Sequence, residues 1–152
     1  MVRCRGRYDQ GPDLEQMTSV LMSATRSHQL VVVDVPRQLN PAGREALRRS
    51  DLVLLVVLAQ LRGIAAAQQM VSQLDDACTA MSLLVRLTRP RSLSAETVAD
   101  GLGLPLAGSL VDDPSVAVGA ARGEPPARSG RSPLARSCRA VLDDLSLEVG
   151  AA

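Results

Sequence analysis

Asp34 closes the apolar run Leu30-Val31-Val32-Val33, and here residue type and position combine into a recognisable chemistry. A carboxylate at the C-terminal end of a buried parallel strand faces the crevice where such sheets bind ligands. There it can order the water shell of a Mg²⁺ held by nucleotide phosphates. Taken alone, the pattern equally describes an aspartate that caps the turn after a strand. A phosphoacceptor aspartate also sits at such a position, but it needs an acidic pair at an earlier strand end and a lysine at a later one. The chain has no lysine, and nothing before Asp34 resembles that pair, so the phosphoacceptor reading is set aside.

The remaining reactive residue types mainly exclude functions. All 17 basic residues are arginines, so no Schiff-base, phosphate-loop or kinase-type lysine is available. Cys4, Cys78 and Cys138 form no C-x-x-C pair, and His28 is the single histidine, so no zinc cluster is expected. The cysteines read as small buried apolar residues in a reducing, cytoplasmic setting. Arg37 can face a phosphate or a partner, or simply solvent. Arg86, Arg89 and Arg91 cluster without interleaved aromatics in a chain of net charge +1, so no nucleic-acid partner is expected. Arg3, Arg5 and Arg7 are followed by polar residues rather than the apolar run of a leader peptide. The strongest apolar run, residues 52–59, is too short to cross a bilayer, so no membrane insertion is expected.

Asp34 needs a scaffold, and the apolar patterning supplies one. Leu30–Asp34, Leu52–Leu58, Met81–Leu87 and Leu104–Leu110 do not alternate polar with apolar, so they read as strands buried on both faces of a parallel sheet. Helical segments separate them. Asp13 and Gln16 have the spacing of a capping box before Leu14, Met17, Leu21 and Ala24. Asn40-Pro41, Asp113-Pro114 and Ser132-Pro133 each pair an N-cap residue with proline at the first helical position. Ile64, Ala67, Val71, Leu74 and Cys78 mark one face of a longer helix. Ser94 caps another, with Leu93 and Val98 placed as a hydrophobic staple and Gly103 as its stop. The last helix places Leu134, Cys138, Val141, Leu142 and Leu145 on one side. Its Asp143, Asp144 and Glu148 favour packing on the sheet over membrane binding. Arg122–Pro133, rich in Pro, Gly, Ser and Arg, reads as a mobile loop.

Strands alternating with helices predict an α/β fold: a partial doubly wound, mainly parallel sheet in a single domain over residues 1–152. The length of 152 residues suffices for one core, with 46% hydrophobic and 22% charged residues. Tyr8 is the sole aromatic, so the core must be built from Leu, Val, Ala and Met. The arginine and aromatic bias fits a GC-rich coding sequence.

In that order, the segments resemble the MinD/ParA group of P-loop ATPases. Val31-Val32-Val33-Asp34-Val35-Pro36-Arg37 resembles the Walker B segment of its septum-site-determining, CpaE-like branch. Residues 46–57, 61–67 and 102–108 resemble the helix and strands that follow. Asp112-Asp113-Pro114-Ser115-Val116, Gly123-Glu124-Pro125 and Ser132-Pro133-Leu134-Ala135 resemble the terminal loop and helix. The resemblance implies ATP with Mg²⁺ as cofactors in the full-length family, with Asp34, Pro36 and Arg37 at the nucleotide and Asp34 touching Mg²⁺ through water. It also implies a homodimer or a protein partner, and a role in positioning cell-division or pilus and secretion machinery.

The departures are equally specific. Nothing before Asp34 supplies the glycine-rich loop and lysine that cradle phosphates; Gly6 and Gly11 are isolated. Arg86 falls where related ATPases carry an adenine-reading asparagine, and Leu110-Val111 falls where a proline precedes the base-contacting loop. The chain alone is therefore expected to bind no cofactor and to hydrolyse no ATP. In the family the P-loop strand lies between the Walker B strand and the strand after it, so its absence predicts two rows of unpaired backbone groups. That pattern reads as a truncated product, unless the two flanking strands pair directly. The competing function is a nucleotide-independent interaction module that kept the fold.

Overall fold

A computed structural model describes residues 11–74, 77–88 and 92–149, without the side chains of residues 146–149. The chain divides into two compact units, one within Met1–Asp51 and Ala77–Thr79, the other within Leu52–Asp76 and Ala80–Ala152. The Met1–Gln10 segment, with Cys4 and Tyr8, lies outside the described residues, as do Arg89 and Arg91.

The first unit holds helices α1 (Leu14–Ser27) and α2 (Pro41–Arg48), which pack together. The expected capping box forms at α1: Asp13 accepts from Gln16 N at 2.8 Å, and Gln16 returns a bond to Asp13 N. At α2, Asn40 accepts from Gly43 N at 2.8 Å with Pro41 in the first turn. Leu21, Ala42, Ala46 and Leu47 form its buried apolar surface.

The second unit is a parallel sheet in the order β1 (Val53–Leu58), β2 (Met81–Leu87), β3 (Leu106–Val111). Helices α3 (Leu61–Leu74) and α4 (Ala95–Leu102) make the crossovers. Both crossovers step across the sheet in the same direction, so right-handed connections place both helices on one face. There Val57, Leu83, Val85, Ala67, Ala95 and Val98 form the core, and Leu83, Val85 and Val98 are completely buried. Alanines at two of these positions, Ala67 and Ala95, let the helices approach closely, which suits a core without aromatic bulk. Ser94 caps α4 and Gly103 ends it at φ 65°, as the sequence indicates. After β3 come α5 (Pro114–Ala121) and α6 (Pro133–Val149). Helix α6 packs on β3. A Cβ on Gly108 would meet Val141 at 3.2 Å and Leu84 at 3.7 Å, so α6 lies on the face opposite the α3–α4 core.

Four expectations change. Leu30–Asp34 is not a strand: residues 28–40 form no regular element, and residues 29–39 make no backbone–backbone hydrogen bond among the described residues. A β-branched run becomes a strand only when a ladder satisfies its backbone, and among the described residues the sheet contains β1, β2 and β3. Strand β1 is not buried on both faces, because Val56 is 58% exposed. Helix α3 ends at Leu74, so Cys78 lies beyond it. Nor are the cysteines uniformly buried: Cys78 is half-buried, and Cys138 is exposed on α6 together with Leu142.

Candidate functional site

Asp34, Pro36 and Arg37 are brought together by sequence adjacency in the segment leading to α2, and all three are exposed. Gly43 of α2 positions this segment. A Cβ there would lie 3.3 Å from Leu39 and 3.4 Å from Val35, so the missing side chain lets these residues settle against the helix. Among the described residues, Asp34 and Arg37 make no hydrogen bond or ion pair. An exposed carboxylate suits an outer-sphere Mg²⁺ ligand. However, no group of three or more His, Cys, Asp or Glu side chains among the described residues can hold a metal ion. No lysine exists to neutralise a triphosphate. The residues present therefore do not fit a complete Mg²⁺–nucleotide site.

In the sheet unit, the C-terminal ends of the strands carry a linked polar rim. Gln60, after β1, donates through Nε2 to Thr88 Oγ1, after β2, at 3.2 Å. Leu93 N donates to Ala59 O at 2.9 Å, tying the loop after β2 back to the end of β1. Arg86 donates from Nε and Nη2 to Asp112 Oδ1 at 3.3 and 3.2 Å. Both partners are about half exposed, so the pair orients the rim more than it stabilises the fold. A shallow cleft of about 620 Å³ opens beside it, lined by Gln60, Leu61, Arg62 and Ser92 among others.

Asp113 is the most connected carboxylate of this unit. Its Oδ1 accepts from Ser115 N at 3.0 Å and from Ser115 Oγ at 2.5 Å, capping α5. Its Oδ2 accepts from Leu134 N at 3.4 Å, and Ser132 also donates to it. The Ser115 hydroxyl is the largest cause holding its pKa below the ordinary aspartate value, assisted by the other donors against some desolvation. One side chain thus ties the start of α5 to the start of α6. The connecting residues 122–132 form a series of turns, with Ala127 at φ 58°, and border a hollow of about 380 Å³. Sequence reasoning missed both this hub and the Arg86–Asp112 pair. The Asp112-Asp113 doublet before Pro114 was the available signal.

An open, parallel α/β sheet with two crossover helices on one face and a terminal helix on the other defines the class. It is part of a MinD-type, P-loop NTPase-like fold. The chain superposes on MinD of Aquifex aeolicus with a TM-score of 0.74 at 20% identity, over 88% of this chain and 61% of that one. MinD of Pyrococcus horikoshii, solved with Mg-ADP, gives 0.75 at 17% identity, over 91% and 59%. In sequence, the chain is 37% identical over 134 residues to an uncharacterized Mycobacterium tuberculosis protein, covering 88% of this chain and 37% of that protein. It is 25% identical over 118 residues to the Synechocystis septum site-determining protein MinD, covering 73% and 44%. The chain thus spans less than half the length of these two sequence relatives and about 60% of the two solved MinD chains. No family model matches it.

Proposed function

We propose that this chain is the Walker B-bearing part of a MinD/ParA-like protein of the septum-site-determining, CpaE-like branch, which positions cell-division or secretion and pilus machinery in the cytoplasm. In that role Asp34 orders a Mg²⁺ shell, with Pro36 and Arg37 beside it, only when a phosphate-binding loop is supplied from outside these residues. The observation that carries the reading is the MinD-type order of β1 to α6 following an apolar segment that ends in Asp34. Partnering through protein surfaces is in keeping with the Aquifex MinC:MinD complex, whose MinD matches at a TM-score of 0.75.

A second reading, a nucleotide-independent interaction module, is favoured by Arg86, which is engaged with Asp112. Calorimetry of the chain with ATP and Mg²⁺ separates the two. Micromolar binding lost in Asp34→Ala supports a retained nucleotide site, whereas no binding supports the module. In either case the chain alone is expected to show no ATP turnover. Hydrolysis abolished by Asp34→Ala would overturn that expectation.

A further inference from the structure

The start of α6 gathers positive charge that the fold leaves unused. Residues 122–139 hold five arginines and one glutamate, Glu124, which Arg128 already pairs at 3.3 Å. Arg131, Arg136 and Arg139 are exposed and make no ion pair among the described residues. Hydrogen bonds tie all three to one turn. Arg139 donates from Nη1 to Gly130 O at 3.4 Å, Arg136 N donates to Ser132 O at 3.1 Å, and Arg131 N donates to Ser129 Oγ at 3.4 Å. They therefore surround residues 129–132, whose two serines also line the hollow of about 380 Å³ beside α5. Val116, Pro125 and Pro126 give that hollow an apolar wall. Its volume falls within the roughly 300–1,000 Å³ of sites that seat a ligand group.

The chemistry of the cluster selects its partner. The backbone donors at the start of α6 are taken, Leu134 N by Asp113 Oδ2 and Ala135 N by Ser132 Oγ. An anion must therefore be held by guanidinium groups, which pair with carboxylates in a planar, two-bond geometry. The positive stretch is short. From Pro133 to Arg139 the helix advances about 9 Å, and the exposed Asp143 and Asp144 follow one turn later. Three or four residues of extended peptide cover that length. A nucleic-acid duplex or a lipid surface would extend past it onto the aspartates, and Tyr8 is the sole aromatic on which a base could stack. We propose that the hollow and Arg131, Arg136 and Arg139 form a docking site for a short acidic segment of another protein. One apolar side chain of that segment sits against Val116 and the prolines, and the carboxylates beside it pair with the arginines. The inference does not rest on the nucleotide reading, because Asp34 has no part in it.

Fluorescence anisotropy of the 152-residue chain, without nucleotide, tests it with a fluorescein-labelled peptide of two leucines followed by four glutamates. The expected result is saturable binding with a dissociation constant of roughly tens of micromolar at low salt, weakening as salt screens the pairs. Arg136→Glu combined with Arg139→Glu should weaken it at least about tenfold, and Val116→Asp at least about threefold. Arg26→Glu, on α1, should leave it unchanged. Circular dichroism establishes that each variant is folded, and the two exposed arginines provide a test even if Val116→Asp is not. No saturable binding, or binding that survives the arginine reversal, overturns the proposal. So does equal affinity for a peptide with glycines in place of the leucines, because the hollow would then take no part. Tighter binding of a DNA duplex of about 20 base pairs or of phosphatidylglycerol vesicles, lost in the same arginine variant, also overturns it and assigns the arginines to that polyanion.

Discussion

Asp113 shows how much one side chain can organise. Its carboxylate satisfies donors at the starts of two helices, and the ionised form is the better acceptor. Its pKa is lowered in the folded chain from an ordinary 3.8. The stabilisation is therefore complete above the ordinary value and is lost as pH falls through the lowered one, because the unfolded chain takes up the proton first. Asp113→Asn should lower the melting temperature at pH 7, and scanning calorimetry should show that deficit shrinking at pH 3. Gly63 is a second single-residue dependency. A Cβ there would sit 2.2 Å from the Leu58 carbonyl oxygen, so the tight β1–α3 turn admits no side chain. Gly63→Ala should cost at least about 2 kcal/mol in urea unfolding, because the obstacle is backbone.

At the scale of elements, the helix boundaries were legible because their signals are local. Asp13 with Gln16, Asn40-Pro41, Ser94 with Gly103, and Asp113-Pro114 each act within a few residues, and each is a cap in the structure. Three of the four expected strands form for the same reason plus one more: each has a neighbour. Leu30–Asp34 has similar β-propensity and no ladder among the described residues, and no pattern within a segment reports whether a partner exists. The candidate site inherits that difficulty. Asp34, Pro36 and Arg37 were legible as a motif, whereas the Arg86–Asp112 pair joins residues 26 positions apart and depends on strand register. The bulge that offsets Leu83–Leu106 from Leu84–Gly108 was likewise invisible before the strands were aligned. Strand β2 is the element on which the sheet unit rests. Leu83 is 0% exposed at its centre, and Leu83→Ala should cost about 2–5 kcal/mol by chemical denaturation.

For the whole molecule, the two compact units divide the chemistry: Asp34 belongs to one, the polar rim and Asp113 to the other. The likeness to a MinD-type fold extends over 88% of the chain, and the 61% share of the Aquifex chain shows how much of such a protein these residues span. The strand order β1-β2-β3 has a kinetic meaning as well, because it is also the order of synthesis. Strands β2 and β3 each meet the preceding strand as soon as one crossover helix has emerged. The sheet can grow outward from β1 as the nascent chain lengthens, and α6 arrives last to cover β3. Pulse proteolysis of ribosome-stalled chains should then show the β1–α4 region protected in steps, before residues 133–149 leave the exit tunnel. Protection that appeared all at once would mean that β3 and α6 must be present before the earlier strands can hold.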